Sequence, residues 1–374
     1  MAITIEQEPT SPNAAYTHLL YAVSSTQVAQ PQFQYVMDIL SGGTLLSRVR
    51  QYPNPAGNAI FDPSRIMADY MGYLNDTTLA GIHPNSNFED EGSIKTFQVN
   101  FGEEYGTSPT SAVVLYNGAG AVGAPAVAAN PLTLIPATVD PNNGTGFNWP
   151  YYNQGIFLTN RPSGVPKADS ALMAMAAYNG TATNKTLEAT DGASSHSITV
   201  GPGQVAQVSL PPGSTNEGIF TFNGNTITVP IVADCNYPAV TFAFINDYGF
   251  MDFYTVNLPQ QKQTRVTRET INRPKVDWSS ATSAYSVTRR GKDSYYTSVE
   301  DDFTVTTDWL SQEEAAWLGQ IFESPDVYVR NEDNTDWIPI NITNSSYIHN
   351  TNKRSQKTFQ YEIQYTLSNQ RPSR

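Results

Sequence analysis

This chain of 374 residues contains little cysteine and little charge. Cys235 is the single cysteine, which excludes a disulfide framework within the chain and a metal site built from several thiolates. Charged residues make up 15% of the sequence, whereas soluble domains average roughly 25%. Helix-rich proteins carry Glu, Lys and Arg on their outer faces. The composition therefore favours β-strands joined by turns rich in Asn, Thr, Ser, Gly and Pro.

Long apolar runs are also missing. No segment approaches the roughly 20 apolar residues that span a bilayer. The first residues, MAITIEQEPTSPN, lack the basic start and the apolar core of a signal peptide. We therefore expect a protein made in a cytoplasm, with no membrane among its partners.

Positive charge is scarce in the first two-thirds of the chain. The net charge is −13, and a protein that binds DNA or RNA has to offset phosphate charge, so we expect no nucleic-acid partner. Residues 1–261 carry 7 basic and 19 acidic residues, and residues 262–374 carry 14 and 15. The basic residues of the second part cluster at Lys262, Arg265, Arg268, Arg273, Lys275, Arg289, Arg290 and Lys292. The cluster is either a set of solvated strand faces or a surface complementary to the acidic part of a neighbouring copy.

The pattern of hydrophobic residues predicts an all-β fold. Alternating segments recur along the chain, among them GIFTF and TITVPIV around Asn223-Gly224, and AVTFAFI and FMDFYTVNL around a four-residue turn. Short strands broken by frequent turns are typical of sandwiches and barrels. We predict two β-sandwich or barrel-like domains with long loops, over residues 28–195, which include a loop-rich insertion, and 196–374. Residues 1–27 are polar and contain proline, and we expect them to form an extended arm outside the core.

Two short helices are predicted within this β-rich chain. Residues 62–73 begin with Asp62 at the cap and Pro63 in the first turn. Residues 311–323 begin with Ser311 followed three positions later by Glu314, which is a capping box. The second helix then carries one apolar stripe, formed by Trp317, Leu318, Ile321 and Phe322. We interpret the acidic pair at its start as a helix signal and the stripe as a packing surface.

Catalytic and metal-binding motifs find little support. Gly118, Gly120 and Gly123 follow a predicted strand with dinucleotide-fingerprint spacing, but Pro125 and Pro131 leave no room for the helix that such a site needs. The histidines lie far apart, and the acidic runs FEDEG and VEDDF lack the spacing of a calcium loop. We therefore predict no catalytic residues, no cofactor and no metal. A glycosidase would need a carboxylate pair in a cleft, which a sequence cannot reveal.

Aromatic residues in polar loops are the remaining candidates for binding. The segment GFNWPYYNQGIF carries Phe147, Trp149, Tyr151 and Tyr152, and KDSYYTS adds Tyr295 and Tyr296. Such side chains can stack on sugar rings, anchor a protein interface or cover the ends of a sandwich. We keep all three interpretations.

Three stretches resemble virion structural proteins of tailed bacteriophages. They are FQYVMDIL…LLSRVRQYPNPAGNAIFDPSRI, FINDYGFMDFYTV and the C-terminal block DWLSQEEAAWLGQIFESPDVYV…WIPINIT…KTFQYEIQYTLSN. The resemblance is to β-sandwich proteins of the tail, neck or baseplate in phages of Bacteroidota, including crAss-like phages. It covers about two-thirds of the chain as a pattern of strand and turn residues rather than as a specific motif.

The resemblance implies a non-enzymatic subunit of the virion. Such proteins assemble as rings or hubs, often of six or twelve copies, so the expected partners are copies of the same chain and other virion proteins. The alternative is a receptor- or carbohydrate-binding fibre or spike module that uses the aromatic loops. In that case a glycan would be the partner.

Overall fold

The computed structural model describes most of the chain: residues 3–71, 88–89, 94–106, 114–116, 123–138, 155–210, 213, 217–233, 239–258, 260–273, 276–279, 282–285, 291–330, 337–344 and 358–369. The fold is all-β, as the sequence predicted, with short helices only. The elements up to residue 157 are β1 (Ile3–Gln7), β2 (Asn13–Tyr16), β3 (Tyr21–Ser25), β4 (Gln34–Ser41), β5 (Thr44–Gln51), β6 (Ala59–Phe61), α1 (Ser64–Ala68), β7 (Phe88–Glu89), β8 (Lys95–Tyr105), β9 (Val114–Tyr116), β10 (Val127–Ala128), β11 (Leu132–Thr138) and β12 (Ile156–Phe157).

The remaining elements include the longest strands of the described chain. They are β13 (Lys167–Ala168), β14 (Met173–Tyr178), β15 (Lys185–Thr190), β16 (Ser195–Val200), β17 (Val205–Leu210), β18 (Gly218–Phe222), β19 (Asn225–Val229), β20 (Ile231–Val232), β21 (Val240–Ile245), β22 (Met251–Val256), β23 (Gln260–Asn272), β24 (Val276–Ser279), β25 (Thr282–Tyr285), β26 (Lys292–Thr306), α2 (Gln312–Leu318), α3 (Gln320–Glu323), β27 (Val327–Arg330), β28 (Trp337–Ile342) and β29 (Glu362–Leu367).

The chain divides into two compact units whose sequences interleave. The first unit contains residues 1–164, 172–230 and 245–252, and the second contains 165–171, 231–244 and 253–374. The predicted boundary near residue 195 is therefore corrected, because Ser195 begins β16, which pairs with β15 inside the first unit. The two units exchange short segments along the chain, and no change of composition marks such an exchange.

The described residues of the first unit form four sheets. A three-stranded sheet (β1-β3-β6) and a seven-stranded sheet (β2-β11-β8-β4-β5, with β9 and β10 also on β8) enclose one core. Two four-stranded sheets follow, β12-β14-β17-β7 and β16-β15-β18-β19. Every residue of β14 and β17 is buried, so both faces of that sheet are covered. The unit is thus built from sandwich layers, as expected for alternating segments of this kind.

The expected N-terminal arm is part of this core. β1 pairs with β3, and β3 pairs with β6. Ile3, Tyr21 and Val23 are buried against the side chains of the seven-stranded sheet. The prediction of an arm outside the core was wrong. Apolar residues alternate in ITI and YAV, and this alternation places one face of each strand in the core although the neighbouring residues are polar.

The second unit is a seven-stranded sheet with a helix on one face. The strand order is β22-β21-β27-β28-β29-β26-β23. Its core contains Trp317, which lies 5.8 Å from the Phe244 ring and 6.0 Å from the Tyr254 ring between centroids. Two further two-stranded pairings, β13-β20 and β24-β25, also belong to this unit.

The C-terminal helix begins as the sequence predicted. The Glu314 amide donates to Ser311 Oγ over 3.2 Å, and the Ser311 amide donates to Glu314 Oε2 over 2.7 Å, which completes the capping box. A turn at Gly319 divides the helix into α2 and α3. Trp317, Leu318 and Ile321 are buried and Phe322 is partly buried, so the predicted apolar stripe is confirmed: it faces the core.

The helix predicted over residues 62–73 is shorter than expected. α1 covers Ser64–Ala68, and residues 72 and 73 lie outside the described residues. Asp62 Oδ1 accepts from the Ser64 amide over 3.1 Å at the helix start and also from the Leu19 amide over 3.1 Å. Met67 is fully buried. One carboxylate thus holds both the helix start and the segment before β3.

We expect Trp317→Ala to lower the free energy of unfolding by about 3–5 kcal/mol, because it empties a fully enclosed aromatic site. Urea unfolding followed by circular dichroism measures this loss. The matched control is Trp309→Ala, since Trp309 is 69% exposed and should change stability by less than about 0.5 kcal/mol. A loss below about 1 kcal/mol for Trp317→Ala would contradict the packing described above.

A second stability prediction concerns the turn between β21 and β22. Gly249 has φ +79°, and a Cβ added there would lie 1.7 Å from the Pro136 carbonyl oxygen. Gly224, in the Asn223-Gly224 turn, has φ +83° with nothing within 4 Å. Gly224→Ala should cost about 1–2 kcal/mol from backbone strain alone, and Gly249→Ala should cost clearly more because the Pro136 backbone must move. Equal unfolding midpoints for the two variants would refute this.

Candidate functional site

The most exposed regular element of the second unit is a long hairpin. β23 pairs with β26 from Gln260 opposite Val305 to Asn272 opposite Lys292. β29 pairs with β26 at Asp302–Thr306 alone. The part of β26 before Asp302 therefore pairs only with β23 among the described residues. We call this projecting part, residues 264–272 and 292–301, the ribbon; at about 3.4 Å per residue it is roughly 30 Å long.

The ribbon continues towards its tip. The Arg273 amide donates to the Gly291 carbonyl over 3.0 Å, and β24 then pairs with β25 in antiparallel fashion. β24 and β25 form a two-stranded sheet of their own, which lies between β23 and β26 in the sequence.

The predicted basic cluster lies largely on this hairpin, where acids of β26 face it. Lys262 Nζ is 3.2 Å from Asp301 Oδ2, and Arg265 Nη2 is 2.9 Å from Asp302 Oδ2. Arg273 Nη2 is 2.9 Å from the Asp293 carboxylate. The basic cluster and the acidic run VEDDF, which the sequence presented as separate features, therefore neutralise each other across the hairpin.

Arg268 differs from this pattern, and three further basic positions cannot be compared with it. Arg268 is exposed and has no ion-pair partner in the described part of the chain. Arg289 and Arg290 lie outside the described residues, as does Lys275. Exposed ion pairs contribute about 0–1 kcal/mol each, so these contacts set the local charge of the ribbon more than its stability.

A β-bulge interrupts the β26 side of the ribbon. Glu269 lies opposite Tyr296 and Thr270 lies opposite Ser294, which leaves Tyr295 as the extra residue. The Tyr295 hydroxyl donates to the Glu269 carboxylate, and this hydrogen bond raises the pKa of the Tyr295 phenol. The residues of the KDSYYTS segment, which we expected in a loop, thus belong to a strand. The alternation of Tyr, Thr and Val there is the signal that predicts it.

Apolar side chains are exposed on the ribbon. Val266 is 42% exposed and Ile271 44%, and Tyr295 and Tyr296 are 60% and 40% exposed. All 13 residues of β23 are exposed. Because the outer edge of β23 has no paired strand in the described sheet, its backbone N–H and C=O groups on that side are open to another chain.

The other predicted contact residues cannot be placed on this surface. Phe147, Trp149, Tyr151 and Tyr152 lie outside the described residues. Within the described ranges, no group of three or more His, Cys, Asp or Glu side chains is arranged to hold a metal ion. Among those same residues, no helix is long and apolar enough to cross a membrane.

Comparisons with known proteins find no specific relative. No protein-family model matches the chain, and no curated protein matches it. The native conformation of E. coli alpha-2-macroglobulin aligns with 82% of this chain at 8% identity and a TM-score of 0.21, and this chain spans 22% of that one. Sidekick-1 immunoglobulin domains 1–4 align with 80% of this chain and 69% of theirs, at 8% identity and a TM-score of 0.18. Similarities this weak carry no argument about function.

The contact between Tyr295 and Glu269 gives a prediction about pH. Because the hydrogen bond favours the protonated phenol, it is present below the raised pKa and is lost as the pH rises through it. Glu269→Gln should move the pKa of Tyr295 down towards the ordinary value of about 10. NMR of ¹³C-labelled tyrosine, with the signal assigned by Tyr295→Phe, measures the shift.

Asp301→Asn is the control for this titration, since it removes a ribbon carboxylate that is bound to Lys262 instead. The Tyr295 titration should be unchanged in that variant. An unchanged titration in Glu269→Gln would mean that the hydrogen bond does not form.

Proposed function

We propose that this chain is a non-enzymatic structural subunit of a tailed-phage virion, which assembles into an oligomeric ring or hub of the tail, neck or baseplate. The observation that carries the proposal is the ribbon: along one edge of β23, at the end of a seven-stranded sheet, the described part of the chain supplies no partner strand. Natural proteins usually shorten, bend or cover such edges, because an open edge pairs with other chains. An edge of this length is therefore best explained as an assembly surface.

Side-chain chemistry supports the same interpretation. The ribbon places exposed Val266, Ile271 and Tyr296 between charged residues that are paired within the hairpin. Protein interfaces combine apolar and aromatic anchors with a polar rim in this way. The ribbon supports an assembly surface in general. The proposal of a ring or hub in a virion comes from the resemblance to virion structural proteins.

Removing the ribbon tests this function. We replace residues 264–301 by an Asn-Gly turn, which keeps Gln263 opposite Asp302 and leaves Phe303 in the core. The variant should stay folded, because none of the residues of β23 is buried and the first buried residue of β26 is Phe303. It should lose the oligomers that the full chain forms, as measured by light scattering after size exclusion and by electron microscopy.

Tyr52→Ser is the matched surface control, because Tyr52 is 67% exposed on the first unit. Its oligomers should equal those of the unchanged chain. A full chain that stays a monodisperse monomer at high concentration would sink the proposal, as would a ribbonless variant that assembles normally.

A second candidate is a receptor- or carbohydrate-binding module. The exposed rings of Tyr295 and Tyr296 favour it, since aromatic rings in the open can stack on sugars. Binding on a glycan array that is lost in Tyr296→Ala or Trp149→Ala, together with a monomeric protein, would favour this candidate over the assembly subunit.

A further inference from the structure

The edge of β23 is unusually regular for an open strand. It contains no proline over its 13 residues, and the bulge of this hairpin lies on β26, at Tyr295. In an antiparallel ladder every second residue directs its N–H and C=O away from the existing partner. β23 therefore offers an uninterrupted row of backbone donors and acceptors along its outer edge.

A second copy of the same strand fits this edge. Two identical antiparallel strands related by a two-fold axis perpendicular to the sheet keep each side chain on its own face. The pairing must then be symmetric about one central residue. This condition leaves few registers to compare, and the charges of β23 discriminate between them.

Most central residues give a poor match. An axis at Arg265, Arg268 or Glu269 places that side chain opposite its own copy, and like charges directly opposite are destabilising. An axis at Val266 places Arg265 opposite Thr267 and Glu269 opposite Gln263, with no opposite charges in register. Axes nearer the ends of the strand shorten the overlap.

An axis at Thr267 gives a complementary match. Arg265 of each copy lies opposite Glu269 of the other, so the same ion pair forms twice. Thr267 lies opposite Thr267, and Thr264 lies opposite Thr270. The overlap then runs from Lys262 to Asn272, nearly the whole of β23.

The remaining positions of this register are compatible with it. Arg268 lies opposite Val266, where its aliphatic stem can cover the exposed valine. Arg265 keeps its contact with Asp302, and Glu269 keeps its contact with Tyr295. A guanidinium has five donors and a carboxylate two acceptor oxygens, so both contacts can coexist with the new pair.

We propose that β23 pairs antiparallel with β23 of a second copy, centred on Thr267, so that the two seven-stranded sheets join into one. This inference rests on the proposed assembly function and specifies its contact. It names the partner, the strand and the register.

A charge swap tests the register in the full chain. Arg265→Glu places two carboxylates opposite each other at both ends, and Glu269→Arg places two guanidinium groups there. Each single change should raise the dissociation constant of the pair at least about tenfold, since two cross-strand attractions become repulsions. The double variant Arg265→Glu/Glu269→Arg should restore the constant to within about threefold.

The double variant separates the contact between copies from contacts within one chain. It restores neither the Arg265–Asp302 pair nor the acceptor for Tyr295, so a purely local role predicts no recovery. Analytical ultracentrifugation measures the constants. Recovery supports the register, and its absence overturns it.

Cross-linking gives an independent readout. In a Cys235→Ser background, Thr267→Cys should form a disulfide-linked dimer under mild oxidation, because opposite Cα atoms lie about 4.5–5.5 Å apart, within the range for disulfides. Thr264→Cys is the matched control on the same strand. Its two copies would lie about 20 Å apart in this register and should not cross-link.

The outcomes distinguish the register from the general function. Oligomers that survive all three charge variants, or that cross-link equally through Thr264→Cys, overturn the register and leave the assembly function standing. A monomeric unchanged chain overturns both.

Discussion

The ribbon depends on one strand, β26. Its C-terminal end pairs with both β23 and β29, whereas its N-terminal part pairs with β23 alone among the described strands. From Asp302 to Val305 it lies between β29 and β23 and buries Phe303 and Val305 in the core. The Phe303 ring stacks on Tyr365 with centroids 5.0 Å apart. Since an isolated two-stranded hairpin is at best marginally stable in water, this anchored end holds the projecting end in register. The core of the second unit thus stabilises a surface that contributes nothing to that core.

Ion pairs within the hairpin reduce the attraction of the exposed β23 edge for anions. Lys262, Arg265 and Arg273 are paired with Asp301, Asp302 and Asp293 across the hairpin, so three of its five described cations are matched. A strand with an unmatched row of cations would bind phosphate or acidic surfaces without regard to shape. With Lys262 and Arg265 paired locally, open backbone groups let the edge bind another strand, and the positions of Arg265 and Glu269 along β23 favour one register. The specificity of the surface therefore lies in its register.

Local signals in the sequence predicted local structure well. The Ser311 and Glu314 spacing predicted a capping box, and Asn223-Gly224 predicted a hairpin turn, because both depend on a few neighbouring residues. The predictions of the N-terminal arm and of the domain boundary were wrong because both features depend on pairing between strands that lie far apart in the sequence. β1 is a core strand only through β3, and no residue near position 195 shows that the segment 245–252 returns to the first unit. The ion pairs of the ribbon escaped prediction for the same reason, since Arg265 and Asp302 meet only once the register of the hairpin is set.

The symmetry of the proposed contact limits the assemblies that it can build. A contact of β23 with itself is isologous, so it closes on two copies and cannot by itself extend into a ring. A ring that uses it must add a second, different contact elsewhere on the chain, and its copies must then come in pairs. Rings of six or twelve, which the resemblance to virion proteins implies, satisfy this condition as three or six pairs, whereas an odd-numbered ring does not. The number of copies in the ring thus depends on this contact. A ring with an odd number of copies would show that β23 does not pair with itself in every subunit.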